Sequence, residues 1–246
     1  MQGRIIVLEG ADGCGKETQA AFLSQTLTDL GIKNEVISFP SYEDASAIPV
    51  NSFLKGELGP AENYSPMEIS MLYLFNQSEA IRRLHIEEKI ENGTYIIFDR
   101  YVYSNLICNG TRINKKKERK DFAGRLLALA FGILSMPEPD IVFYLDASEE
   151  TIIKNINERN EKDINEKDEI LMRKTIKVGR QIAKWCSMFS IKCDMSNKTM
   201  RSRESIAEEI GFAVKRYFIV PKMIVNEEEL SSTKCESCTN TCEKME

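Results

Sequence analysis

The chain has one histidine, one tryptophan and no apolar run approaching twenty residues. Each shortage excludes something. With His85 alone, chemistry built on a histidine base or a histidine metal cage has almost nothing to use. Without a long apolar run, no membrane span is predicted. The formal net charge is −5, which disfavours a broad nucleic-acid surface. The basic run KKKERK (115–120) reads as a solvated loop instead. The seven cysteines are odd in number and scattered, so they make no disulfide framework. Reduced thiols and the absence of a charged-then-apolar leader before RIIVLE point to a cytoplasmic protein.

What is present is an alternation. The runs RIIVLE (4–9), EVISF (35–39), TYIIFD (94–99) and DIVFYLD (140–146) are continuous and β-branched, as strands covered on both faces are. SIKCD (190–194) is a weaker fifth. Helical patterns separate them. After Lys16, Phe22, Leu23, Leu27 and Leu30 share a face that stops at Gly31. A long helix is expected over 66–91, opened by Ser65-Pro66 and closed by Asn92-Gly93, with His85 on its surface. Further helices are expected over 121–135, 149–160, 168–188 and 203–217. This order predicts an α/β fold, a five-stranded parallel sheet with helices on both faces. Residues 1–220 form one domain. Residues 221–246 are polar and aperiodic and read as a flexible tail. Its Cys235, Cys238 and Cys242 have no fourth partner nearby, which argues against a zinc site.

Residues 10–18 read GADGCGKET. Strand, glycine-rich turn and amphipathic helix are the setting of a phosphate-binding loop. Gly10, Gly13 and Gly15 let backbone N–H groups converge on phosphates, and the helix dipole adds positive potential. Gly10, Ala11, Asp12, Gly13, Cys14, Gly15, Lys16, Glu17 and Thr18 are the candidate ATP-binding residues. Lys16 would bridge the outer phosphates. Glu17 stands where Ser or Thr usually offers a hydroxyl to Mg²⁺, but a carboxylate can still offer oxygen to a hard cation. TYIIFDRY ends a buried strand in Asp99 and Arg100. Asp99 could hold a Mg²⁺-bound water, and Arg100 could clamp a second phosphate. Glu17 and Asp99 are thus the candidate metal residues.

With FPSY (39–42), LYLF (72–75), DRYVYSN (99–105) and PEPDIVFYLD (137–146), the chain resembles the thymidylate kinases over nearly all of 1–217. Its loop is similar to that of bacterial members reading GK-x-TQ. The resemblance implies a three-layer α/β/α P-loop NTPase fold and Mg²⁺-dependent phosphorylation of dTMP by ATP in a homodimer. By resemblance, Asp12, Phe39, Pro40, Tyr42, Phe75, Arg100, Ser104 and Asn105 bind dTMP, with Phe75 stacked on the thymine ring. The loop has no arginine, which implies a mobile lid at about 157–169 supplying the catalytic cation. Arg159 is the first candidate, followed by Lys162 and Arg173. The catalytic set is then Lys16, Asp99, Arg100 and Arg159. Two departures concern the acceptor. Glu79 stands where an arginine is expected four residues after the stacking ring, with Arg82 and Arg83 near enough to reach back. Cys108 stands at the sugar's 2′-position. Another acceptor (dUMP or dCMP), a phosphate-loop ATPase or switch protein, and a non-catalytic relative are the alternatives.

Overall fold

The computed structural model describes residues 2–157, 169–195 and 199–219. Two compact units, Met1–Gly211 and Phe212–Glu246, are distinguished. The first holds a five-stranded sheet in the order β2-β3-β1-β4-β5. Its strands are β1 (Ile5–Gly10), β2 (Asn34–Ser38), β3 (Tyr95–Asp99), β4 (Ile141–Asp146) and β5 (Phe189–Lys192). All pairings are parallel. Every residue of β1 and β3 is buried, which is why these strands do not alternate. The edge strands β2 and β5 are only partly covered. In the second unit, the described residues are the last turn of a helix and a π-helical turn, Lys215–Ile219.

The topology makes the crevice. From β1 the chain crosses to β2 on one side, and from β3 it crosses to β4 on the other. β1 and β3 are neighbours, with Leu8 opposite Asp99. Their C-terminal ends therefore lie at the point where the winding reverses, where open parallel sheets bind ligands.

Helix α1 (Lys16–Asp29) buries Gln19, Ala20, Leu23 and Leu27. Leu30, expected on that face, is its exposed C-cap. Gly31 follows at φ 71°, the left-handed stop that its position predicts. After the short α2 (Ile48–Leu54), α3 (Pro66–Arg83) opens with Pro66 and a reciprocal box. Glu68 N–H donates to Ser65 Oγ and Ser65 N–H to Glu68 Oε2.

The expected long helix is two helices. His85 takes a left-handed turn at φ 51°, and α4 (Ile86–Glu91) restarts with Ile86 fully buried. The break turns an apolar residue into the core and leaves His85 exposed. KKKERK is not a loop either. It opens α6 (Lys116–Leu127), and Arg119 is buried. Arg119 donates to Gly110 O at 2.9 Å, to Gln181 Oε1 at 2.8 Å and to Ile113 O. Helix α6 passes into a π-helical segment, Ala128–Ile133, so the helix expected from 121 begins earlier and is distorted at its end. Helices α7 (Glu149–Asn157) and α8 (Glu169–Trp185) flank β4 and β5, and α9 (Arg203–Val214) follows β5. Most of the expected lid, with Arg159 and Lys162, and the tail lie outside the described residues.

One charge inside the sheet organises the crevice. Glu9, on β1, is fully buried. Its carboxylate accepts Tyr101 N–H at 2.9 Å, Ser104 N–H at 3.0 Å and Ser104 Oγ–H at 2.6 Å. Those N–H groups open helix α5 (Val102–Gly110), which has no side-chain cap of its own. Glu9 thus caps a helix from a neighbouring strand.

Burial pushes its carboxyl up to about 7, against the lowering effect of those hydrogen bonds and of Arg100 and Lys16. A carboxyl held above its ordinary 4.5 favours the protonated fold. Its contribution is complete below 4.5 and is lost as pH rises through 7. The full loss is roughly 3 kcal/mol. Urea unfolding of Glu9→Gln and wild type at pH 5 and pH 8 tests this. The stability difference should move in favour of Glu9→Gln at the higher pH, and a difference that does not change with pH counts against it.

Candidate active site

The loop after β1 is built for close approach. Gly10 lies at φ 151°, and a Cβ there would sit 2.6 Å from Cys14 Sγ and 2.9 Å from Leu145 O. Gly13 lies at φ 82°, and a Cβ there would meet Ile156 Cγ1 at 3.0 Å and Ile152 O at 3.3 Å. Helix α7 therefore rests on the loop, and Asn155 Nδ2 donates to Gly13 O at 2.9 Å. Gly15 caps α1 in the left-handed region and, having no side chain, makes no cap hydrogen bond to that helix's first turn. Free N–H groups at the positive end of a helix form an anion site.

Lys16 is buried and donates to Gly10 O and Ala11 O, each at 3.0 Å. Its ammonium lies 3.6 Å from Asp12 Oδ1. The same carboxylate oxygen pairs with Arg100, whose own backbone is left-handed at φ 70°. Asp12 thereby joins a cation from β1's loop to one from β3's end. Asp99 is buried, and its Oδ1 has no hydrogen-bond partner. Desolvation holds its carboxyl above the usual range, with Lys16 and Arg100 opposing and Glu17 and Asp12 adding to the rise. Glu17 is exposed at the first turn of α1, and Thr18 is half-buried.

From Asp12 and Arg100 a cavity of 790 Å³ opens. Ala11, Phe39, Pro40, Tyr42, Ser104 and Asn105 line it, so six further expected residues meet in one place. Phe39 is also core, with its ring centroid 5.4 Å from Phe98 and 6.1 Å from Tyr101. Ser104 commits its hydroxyl proton to Glu9, which leaves only an acceptor for any ligand. Side chains of α7 and α8, including Ile152, Ile156 and Met172, complete the lining. Arg173 pairs with Glu149, on α7.

Phe75 is not in the cavity. It is 56% exposed, on the outer face of α3. The ring that lines the cavity is Tyr73, between Ile69 and Gln77 at four-residue spacing. The expectation for Phe75 is thus two residues out of register. Glu79 does not face the cavity either. It accepts Ser46 Oγ–H at 3.0 Å and Arg83 Nε–H at 3.0 Å. Arg83 also pairs with Asp44, and Arg82 donates to Ser78 O and Leu134 O. Neither arginine reaches back, and the position four residues after the ring is Gln77. A helix counted from Pro66 by its buried stripe would have given Ile69, Tyr73 and Gln77. Glu9 was equally readable, as a lone acid within an apolar strand. Cys108 lines the cavity.

Comparisons with known proteins agree with this geometry. The sequence model of the family described as thymidylate kinase matches residues 8–206. A thymidylate kinase of Brachyspira hyodysenteriae is 31% identical over 163 residues, covering 65% of this chain and 70% of that one. One from Synechococcus is 26% identical over 221 residues, covering 88% of this chain and 100% of its own length. One from Arabidopsis thaliana is 33% identical over 149 residues, covering 61% of this chain and 51% of its own. The solved structure of thymidylate kinase from Candida albicans superposes with a TM-score of 0.68 at 20% identity, covering 87% of this chain and 92% of that one. With the loop, the strand-end pair Asp99–Arg100 and the adjoining cavity in a matching fold, the chain belongs to the thymidylate kinase family.

Proposed function

We propose that the chain transfers the γ-phosphoryl group of ATP to dTMP, forming dTDP and ADP. The observation that carries this is Asp12, held between Lys16 on the phosphate loop and Arg100 on the cavity. It joins a donor site to an acceptor site. An oxygen of the acceptor phosphate attacks the γ-phosphorus, and the bond to the β–γ bridging oxygen breaks. The nucleophile is already anionic, so no general base is needed, and the remaining work is positioning and charge stabilisation. Lys16 and the N–H groups of the loop would hold the donor phosphates. Arg100 would hold the acceptor phosphate. Phe39, Tyr73 and Tyr42 offer rings beside the acceptor, and Asn105 offers an amide. A pure ATPase has no use for this second cavity.

A catalytic cation is still required beyond Lys16. Position 13 carries no side chain, and Arg173 is engaged by Glu149. Arg159 of the lid segment is our assignment, with Lys162 second. The residues present suit Mg²⁺. Asp99 offers an unpartnered buried oxygen, and its carboxyl responds to the charge of Glu17. Among the described residues no three acidic, histidine or cysteine side chains gather into a metal cluster. When bound, Mg²⁺ would neutralise charge on the transferring phosphates.

Among the described residues no helix is long and apolar enough to cross a membrane. We place the activity in the cytoplasm. Met71 and Phe75, one turn apart on α3 and both more than half exposed, support a second copy of the chain as their cover.

ADP formation from ATP should depend strictly on dTMP, and Lys16→Ala should lower kcat by at least about a hundredfold. Phosphate release without an acceptor would favour the ATPase reading. Glu17→Ser in a Mg²⁺ titration separates ligand from bystander: weaker apparent Mg²⁺ affinity is expected, and unchanged affinity and kcat remove Glu17 from the metal site. For the dimer, sedimentation velocity should find wild type as a dimer and Phe75→Glu shifted to monomer. A wild-type monomer, or a variant that stays dimeric, contradicts the assignment.

A further inference from the structure

Among the described residues, six buried side-chain polar atoms lack a hydrogen-bond partner, and two of them belong to residues that line the cavity. They are Gln77 Oε1 and Asn105 Nδ2. Gln77 is 3% exposed and Asn105 4%. The helices that carry them, α3 and α5, pack together. Buried amides are rarely left uncommitted, and each that is calls for an explanation, which beside a cavity includes a ligand. The neighbouring amides show the contrast. Asn76 accepts Ser41 N–H at 3.0 Å and donates to Ser46 Oγ at 2.9 Å. Asn109 donates to Ser70 Oγ at 2.8 Å. These bonds fix the polarity of Asn76 and Asn109. Nothing comparable fixes Gln77 or Asn105.

The chemistry of the bases gives this a meaning. Thymine and uracil present a donor, N3–H, beside an acceptor, O4. Cytosine presents the reverse, an acceptor N3 beside the donor N4 amino group. An arginine or lysine can only donate, and a carboxylate can only accept. A primary amide carries both, and a half-turn exchanges them when neither end is held. The wall between Tyr73 and Cys108 can therefore match either polarity. A site of fixed polarity rejects the wrong base by about 10⁴-fold or more, because its own buried groups are left unpaired. This site has no polarity to violate.

We propose that Gln77 and Asn105 are a base-reading pair of exchangeable polarity, so that the enzyme accepts dCMP as well as dTMP and dUMP. This rests on the dTMP kinase reading above and names its acceptor class. It concerns two residues that touch the acceptor base, not the phosphoryl transfer itself.

The test is kcat/KM for dTMP, dUMP and dCMP in wild type, Gln77→Arg and Gln77→Glu. Ratios within one variant do not depend on the folded fraction, so a poorly folding variant still reports. Wild type should use dCMP within about a hundredfold of dTMP. Gln77→Arg, which only donates, should lower dCMP use at least about tenfold more than dTMP use. Gln77→Glu should shift the ratio the other way. Turnover of dTMP with dCMP disfavoured by about 10⁴-fold overturns the inference and leaves the kinase reading intact. So does an equal effect of each substitution on both acceptors. No turnover of dTMP overturns the kinase reading and the inference with it.

Discussion

The carboxylate of Glu9 is the joint on which the site depends. β1 delivers the phosphate loop, and β3 delivers Asp99, Arg100 and the start of α5. The strands are held side by side by their ladder, but a ladder does not fix the path of the chain beyond each strand's end. Glu9 does, by taking the first N–H groups of α5 while standing one residue before Gly10. The cost of burying that charge is set against three hydrogen bonds and two nearby cations. The same residue thus ties the glycine-rich loop after β1 to the chain that leaves β3. Asp12 works one layer further out, as a polar contact between the parts that Glu9 has aligned.

Much of this was legible in the residues. Continuous β-branched runs announced buried parallel strands, and the sheet has all five. The phosphate loop was legible because it needs a strand before it and a helix after it, and both patterns were present. Asp99 and Arg100 were legible because a strand must end where the crevice lies. The resemblance added the acceptor pocket, and most of its expected residues meet in the cavity.

What was not legible depended on tertiary context. The resemblance put Phe75 at the ring and Glu79 four residues on, and helix periodicity, which gives a face but not its absolute rotation, does not by itself shift that register to Tyr73 and Gln77. The two rings are only two residues apart, yet one faces the cavity and the other faces out. The break at His85 carries no glycine or proline to mark it, and burial of Ile86 drives it. Arg119 sits inside a run of six basic and acidic residues that reads as solvated, but it closes the far end of α5 from within.

The contact of α7 on Gly13 has an evolutionary consequence. A side chain at that position would run into Ile156 and the carbonyl of Ile152, in a backbone conformation that side chains resist. Any residue but glycine at position 13 would carry backbone strain and ask Ile156 and the Ile152 carbonyl to give by a few tenths of an ångström, so selection on α7 and selection on the loop meet at this one glycine.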